Sequence, residues 1–199
     1  MVFHEQSTSI TPQIQKLDQE LTYLNIRNHC IHTGPIIRGE EDYYHYPIEF
    51  RRRILNKFVS FVRSLNVNYA SVVIEKSPAS NSINNIKALG RKLAEFIDAH
   101  RGFFSQYDVL KVYYDNGQIE LTQLLAATFS TLVPEVEFRK VVPKDYKLFQ
   151  VADLVCTLKL INLRLTAGKA SKSDLRFFMS IRDLKKNYIK PLKTKELTV

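Results

Sequence analysis

The stretch KLFQVADLVCTLKLINLRL, residues 147–165, is strongly apolar. Its apolar residues recur at helical spacing, so it predicts a long helix that is buried in a core. Asp153 interrupts this surface, and a carboxylate among apolar neighbours is costly unless it is paired or bound to a metal ion. Helical offsets place four polar residues on one face: Gln150, Asp153, Thr157 and Arg164. The stretch therefore predicts a core helix whose polar stripe faces a partner, while Cys156 is expected to pack among the apolar residues.

Outward from this helix, predicted strands alternate with predicted helices. Strands are expected at residues 69–74, 109–114 and 136–142, and helices at residues 11–24, 47–65, 83–100, 118–130 and 177–188. The residues between Thr33 and Tyr46 predict a long loop, and those between Thr166 and Ser173 a linker. This alternation predicts an α/β protein with a mixed sheet flanked by helices.

Composition sets the broad class of the protein. The chain has 199 residues, 45% of them hydrophobic, which fits one domain with a real core and excludes a disordered or fibrous protein. No apolar run approaches the roughly 18 residues that a membrane helix needs, so no segment is expected to span a membrane. The first residues do not resemble a secretory signal, and Cys30 and Cys156 are far apart in sequence, which favours a cytoplasmic protein.

The basic residues are concentrated near the end of the chain. The net charge is +9, and residues 139–199 hold 15 basic and 5 acidic residues, whereas residues 1–138 hold 14 basic and 15 acidic. A local excess of this kind attracts polyanions, so nucleic acid or an acidic membrane surface becomes a plausible partner class. The alternative is a basic tail that is simply solvated.

Two acidic residues follow predicted strands. Asp115 comes directly after the strand at residues 109–114, and Glu75 ends the strand at residues 69–74. Ligands of open α/β sheets gather beyond strand ends, and Mg²⁺ prefers oxygen ligands. Asp115 and Asp153 are therefore candidate metal ligands, with Glu75 as a third acid. The competing interpretations are a plain Asp-Asn-Gly turn at Asp115 and, for Asp153, an ion pair or a helix cap.

These motifs, taken in order, resemble a known family. Tyr113-Tyr-Asp115-Asn-Gly117, followed by Phe149-Gln-Val-Ala-Asp153-Leu, is similar to the ribonuclease H-like domain-of-unknown-function 3800 family. Two earlier segments, His32-Thr-Gly-Pro-Ile-Ile-Arg38 and Val72-Val-Ile-Glu75-Lys76, resemble that family's intermediate segments. The resemblance implies a ribonuclease H-like fold in which Asp115 and Asp153 are metal-binding acids. Together with Glu75, the remaining strand-end acid, they are the candidate catalytic residues, and Mg²⁺ or Mn²⁺ is the expected ion.

The sequence departs from this family at its beginning. The family starts with a central strand that bears an Asp-Glu-Ser-Gly motif, which this sequence does not contain, and Val2-Phe3-His4-Glu5 is similar to the family's second strand. We therefore expect an N-terminally incomplete ribonuclease H-like domain over residues 1–165, either truncated or degenerate. The basic helix and tail at residues 166–199 are expected to pack on it.

Several further residues are candidates for contact with nucleic acid. They are His32, Arg38, Lys76, Lys140, Lys144 and Gln150. Lys147 adds charge, and Tyr43 and Tyr44 offer rings on which a base can stack. The competing interpretation is an ordinary loop histidine and tyrosines that cover the core.

Two functions from different classes follow. The leading expectation is a divalent-metal-dependent nuclease or phosphodiesterase of the ribonuclease H-like class. The alternative is a non-catalytic nucleic-acid-binding or protein-interaction module on the same fold. A third possibility is that the chain is a fragment that associates through an exposed sheet edge. The sequence leaves the oligomeric state open.

Overall fold

The chain forms a mixed α/β structure in which helices predominate. The computed structural model describes residues 1–27, 29–75, 81–114, 119–133 and 135–197. Its contacts divide into two units. Unit 1 is Met1–Ala70 together with Tyr146–Thr198, and unit 2 is Ser71–Asp145.

Unit 1 contains most of the helices. Its strands are β1 (Val2–Phe3) and β2 (Asn68–Tyr69), and its α-helices are α1 (Thr11–Tyr23), α2 (Thr33–Arg38), α3 (Ile48–Ser64), α7 (Lys147–Thr166), α8 (Lys172–Phe177), α9 (Ile181–Asp183) and α10 (Lys190–Lys193). A short 3₁₀ turn covers Glu41–Tyr43, and a π-helix covers Leu184–Ile189. The segments from Ile181 to Lys193 follow one another without a break, and we call them the C-terminal helical run.

The core of unit 1 is built on α3 and α7. Six side chains of α3 are buried: Ile54, Leu55, Phe58, Val59, Phe61 and Val62. The α7 helix contributes five apolar side chains: Val151, Leu154, Val155, Leu158 and Ile161. These spacings of three and four residues bring one face of each helix inward, and the hydrophobic effect drives that burial.

The C-terminal residues belong to this core. Leu184, Tyr188 and Leu192 are almost fully buried, and their four-residue spacing turns one side of the C-terminal helical run inward. Beyond the run, the backbone N–H of Tyr69 donates to the Lys195 carbonyl, and the Leu197 N–H donates to the Tyr69 carbonyl, both at 2.8 Å. On its other edge, β2 pairs antiparallel with β1. The chain end is therefore held by side-chain packing and by backbone hydrogen bonds.

Unit 2 holds a separate parallel strand pair. Its elements are α4 (Ser82–Ala99), α5 (Arg101–Phe104), β3 (Leu110–Tyr114), α6 (Ile119–Leu132) and β4 (Val136–Lys140), with a 3₁₀ turn at Pro143–Asp145. β3 and β4 are parallel, with α6 between them in the chain, as a β–α–β unit requires. The α4 helix contacts α6, and a Cβ at Gly90 would lie 2.8 Å from Leu124 Cδ1, so a larger residue there would require the leucine side chain to shift.

Most of the predicted elements are confirmed. Helices form close to the bounds expected from residues 11–24, 47–65, 83–100, 118–130 and 147–165, and strands form within 109–114 and 136–142. The strands of the described part of the chain pair as two small sheets, one in each unit.

The loop predicted between Thr33 and Tyr46 is wrong over its first six residues. Residues Thr33–Arg38 form α2, and Thr33, Ile36 and Ile37 of this helix are buried. Pro35 and Gly39 were interpreted as loop residues, but they lie in the first turn and at the left-handed cap of this helix. The helix is too short to form alone, so its contacts with α3, α7 and α8 decide its structure.

Three other expectations are corrected. The strand predicted at residues 69–74 ends at Tyr69, so Glu75 does not end a strand. The helix predicted at residues 177–188 is broken after Phe177, and helical structure then continues through Pro191 to Lys193. Cys156 is exposed rather than packed. Each error concerns a surface or a pairing partner that local sequence does not encode.

Among the residues that the structure describes, no helix combines the length and apolar character needed to cross a membrane.

Candidate functional site

The polar stripe of α7 binds an extended segment that leads into α2. Gln150 Oε1 accepts a hydrogen bond from the Ile31 N–H at 3.1 Å, and Asp153 Oδ2 accepts one from the Thr33 N–H at 2.7 Å. Gln150 and Asp153 are three residues apart and therefore neighbours on the helix surface. The partner that the sequence left open for Asp153 is thus the backbone at the start of α2, and the geometry is that of a capping carboxylate.

The Tyr43 side chain holds the same segment through different backbone groups. The Tyr43 hydroxyl accepts a hydrogen bond from the His32 N–H at 3.3 Å and donates to the Cys30 carbonyl at 3.3 Å. His29 Nε2 lies 2.5 Å from the same hydroxyl. Three consecutive backbone N–H groups, those of residues 31–33, therefore donate to side chains of Gln150, Tyr43 and Asp153. We call residues 29–33 the clamped segment.

Burial shifts the titration of the His29–Tyr43 pair. Burial lowers the pKa of His29 from 6.5; the neighbouring Asp42 carboxylate, 3.9 Å away, opposes this shift, whereas unfavourable electrostatic interactions with His32 and Lys147 add to it. Burial also raises the pKa of Tyr43 from 10.0. The imidazole and the phenol are therefore both neutral at pH 7.

Two buried polar atoms of this region lack a hydrogen-bond partner within the described residues. They are Thr33 Oγ1 and Gln150 Nε2. Thr33 is 0% exposed and Gln150 is 2% exposed. Buried polar atoms of native proteins are usually satisfied by protein or by ordered water, so each of these atoms calls for a small polar partner.

The three predicted acids are not brought together in the described structure. Asp153 is half-buried in unit 1, Glu75 is exposed in unit 2, and Asp115 lies outside the described residues. The described ranges contain no group of three or more His, Cys, Asp or Glu side chains placed to hold a metal ion. Of the three acids predicted for a Mg²⁺ or Mn²⁺ site, Asp153 is therefore the one that the structure describes in unit 1.

The predicted nucleic-acid contacts are scattered. His32 lies in the clamped segment with its side chain exposed, and Arg38 is bound to Glu40, with Nε 2.9 Å from each carboxylate oxygen. Lys140 and Lys144 are exposed in unit 2, whereas Lys76 lies outside the described residues. Gln150 is buried and occupied by Ile31, so its role is structural.

Lys147 and Tyr43 are also engaged within the protein. Lys147 Nζ lies 3.3 Å from Asp18 Oδ1. Tyr43 is 1% exposed and offers no face to a base, while Tyr44 is 74% exposed.

The structure adds a basic surface that the sequence analysis did not single out. Four exposed cations of the C-terminal helical run, with Ile181, line an open groove of about 640 Å³: Arg182, Lys185, Lys186 and Lys190. We call these four residues the basic face. The sequence contains the signal for this face. Three apolar residues that face inward recur every four positions: Leu184, Tyr188 and Leu192. A basic residue lies two positions before each of them: Arg182, Lys186 and Lys190.

The charges of the basic face are not neutralised by neighbours in the described part of the chain. None of the four cations forms an ion pair there, unlike Lys159, which binds Glu196, and Arg164, which lies 3.7 Å from Asp174. Asp183 is the acidic residue of the run, and its oxygens accept hydrogen bonds from the Asn187 side chain and the Met179 N–H. The basic face therefore presents a net positive field to solvent.

Comparison of the chain with models of known families, with curated proteins and with solved structures finds no match.

Proposed function

We propose that this protein binds nucleic acid through the basic face of its C-terminal helical run. The observation that carries the proposal is the set of four exposed cations without ion-pair partners in the described chain. Neutralising phosphates releases condensed counterions, which supplies the main sequence-independent part of nucleic-acid affinity. Burial of Leu184, Tyr188 and Leu192 fixes the backbone that carries these cations, so binding does not have to pay for ordering that backbone.

Burial of the apolar side of the run favours nucleic acid over a lipid surface. A helix that lies on a membrane buries its apolar face at the headgroup boundary. In this protein that face packs on α3 and the rest of the unit 1 core. Ile181, at 48% exposed, is the large apolar side chain that the described run leaves in solvent. The run is otherwise equipped for charge-based binding.

A charge-matched pair of variants tests this proposal. The test variant changes Arg182, Lys185, Lys186 and Lys190 to Gln, and the control changes Lys16, Arg27, Arg63 and Lys87 to Gln. All eight residues are exposed, and both variants lose four charges. Binding to labelled oligonucleotides is measured by fluorescence anisotropy at several salt concentrations.

We expect the test variant to lose at least tenfold in affinity at low salt and the control to lose less than threefold. The slope of log K against log salt on duplex should become shallower by about 3 to 4, since each phosphate contact contributes about 0.9. Equal losses in the two variants would show that net charge alone carries binding and would overturn the proposal.

Metal-dependent phosphodiester cleavage is a second candidate function. It assumes that the acidic residues are arranged as in the ribonuclease H-like fold that the resemblance implies. Asp153 is the acidic residue of α7, and it uses only Oδ2 for Thr33. Within the described ranges Oδ1 accepts no hydrogen bond, so it is chemically suited to a hard cation. Asp115 and Glu75 are the further acids of this proposal.

Cleavage of labelled RNA, DNA and hybrid substrates with Mg²⁺ or Mn²⁺ tests this candidate. Asp153→Asn retains an oxygen that accepts from Thr33 but removes the charge. We expect Asp153→Asn and Asp115→Asn each to lose at least tenfold in rate, while Asp98→Asn, an exposed acid of α4, retains wild-type rate. Absence of metal-dependent cleavage by the wild-type chain would exclude the candidate.

The fold assignment behind this candidate is a proposal too. It is supported by the order of an antiparallel pair, β1 with β2, before a parallel pair, β3 with β4. A crystal structure tests it: both pairs within one mixed sheet are the expected result, and two unrelated sheets would exclude a ribonuclease H-like fold.

A further inference from the structure

The C-terminal helical run offers cations but no exposed ring. Tyr188 is its aromatic residue, and this side chain is 4% exposed, with its hydroxyl donating to Asn56 Oδ1 at 2.7 Å. Proteins that bind single strands stack successive bases on exposed aromatic side chains. The basic face lacks such an aromatic platform, and the guanidinium of Arg182 is the planar group that it offers to a base. It is therefore suited mainly to contacts with phosphates.

The polar side chains of the run are poorly suited to reading base edges. Asn187 is of the residue type that pairs with adenine, but its amide nitrogen donates to Asp183 Oδ1 at 2.7 Å. Three of the four cations of the basic face are lysines, which act on phosphates as point charges. Contacts of this kind position a protein on nucleic acid without carrying sequence information.

The cations lie along a supported helical surface. Arg182, Lys186 and Lys190 recur every four residues and are all exposed, and Lys185 lies beside them. Because the opposite side of the run is buried, the row is held in one orientation. A stiff row of charges matches a polymer whose phosphates are themselves held in a regular array.

From these observations we infer that the basic face binds the phosphate backbone of a double helix, independently of sequence, rather than a single strand. This inference rests on the proposed nucleic-acid binding and specifies its substrate class. The contacts are electrostatic, so duplex affinity falls steeply with salt.

The test compares polymers with the full chain. Anisotropy is measured with a labelled 20-base-pair duplex, a second duplex of unrelated sequence, and each single strand, at matched phosphate concentration. We expect both duplexes to bind within twofold of one another and at least tenfold tighter than the single strands. Arg182, Lys186 and Lys190 changed together to Gln should weaken duplex binding at least tenfold, with a salt slope shallower by about 2 to 3.

A stacking variant supplies the control. Tyr44 follows Tyr43 in the chain and is 74% exposed, and Tyr44→Ala should leave duplex affinity unchanged. Tighter binding of single strands than of duplex, or a tenfold loss in Tyr44→Ala, would overturn the duplex inference while leaving nucleic-acid binding intact. Absence of binding to every polymer would overturn the proposed function itself. The proposed function would also be overturned if the wild-type chain bound phosphatidylserine vesicles as tightly as duplex and the triple variant lost that vesicle binding.

Discussion

At the scale of single residues, Asp153 shows how one side chain can fit two interpretations. In the sequence it is a carboxylate inside an apolar helix, which is compatible with a metal ligand or with a structural partner. In the structure its Oδ2 holds the Thr33 N–H at 2.7 Å, while Thr33 is fully buried. A structural role is therefore present, and any catalytic role is additional to it.

Substitutions of Asp153 separate charge from hydrogen bonding. Asp153→Ala leaves the Thr33 N–H without its acceptor, and an unsatisfied buried donor costs about 1–3 kcal/mol. Asp153→Asn keeps an acceptor, so it should lower the free energy of unfolding by less than half as much as Asp153→Ala does. Urea denaturation measures the two free energies of unfolding, and equal losses would contradict the hydrogen-bonding role.

His29 predicts a pH dependence of stability. Burial lowers its pKa below 6.5 in the folded chain, so the unfolded chain binds a proton more readily. The contribution of neutral, buried His29 to the free energy of unfolding is therefore fully present above about pH 6.5. It is lost as the pH falls toward the lowered pKa.

The variant His29→Gln isolates this effect. Between pH 7.5 and pH 5.5 the wild-type chain should lose more free energy of unfolding than the variant, because the two chains differ only at residue 29. Identical pH profiles from urea denaturation would contradict the predicted shift.

At the scale of elements, α2 depends on its C-terminal cap. Gly39 has φ +73°, in the left-handed region, and its N–H donates to the Pro35 carbonyl. Arg51 Nη1 donates to the carbonyls of Ile36 and Ile37, which satisfies the last turn of the helix. The glycine leaves room for that guanidinium.

A matched pair of glycine substitutions tests the cap. A Cβ at Gly39 would lie 3.1 Å from Arg51 Cζ, whereas Gly168, with φ +67°, has nothing within 4 Å. Gly168→Ala should cost about 1–2 kcal/mol for backbone strain alone. Gly39→Ala should cost clearly more, because Arg51 must also move. Thermal and urea denaturation compare them, and equal costs would argue against the role of Arg51.

At the scale of the whole molecule, burial is distributed unevenly between the units. The main hydrophobic cluster lies entirely in unit 1. The helices α3 and α4 have 17 and 18 residues, but α3 buries six apolar side chains and α4 buries two, Leu93 and Ile97. Local opening costs less free energy where fewer apolar side chains are buried.

Hydrogen exchange should therefore differ between these two helices. We expect the slowest-exchanging amides in α3 and α7, and exchange at least tenfold faster in α4. Mass spectrometry of peptides from the intact chain measures this, and the comparison of α3 with α4 controls for helix length. Equal protection would show that the two units open together.

The sequence by itself determined the elements whose pattern is local. Helical spacing of apolar residues predicted α1, α3, α4 and α7, and β-branched and aromatic runs predicted β3 and β4, because these signals depend on neighbours within a few residues. It also located the excess of positive charge in the last third of the chain, since charge is a matter of composition.

Tertiary structure alone decided the rest. Helix α2, the partners of Gln150 and Asp153, and the shortness of β2 all depend on contacts between residues far apart in the chain, such as the 120 positions that separate Thr33 from Asp153. The basic face likewise required knowing which side of the C-terminal helical run is buried. Local sequence states which side chains are available, and packing decides which of them meet.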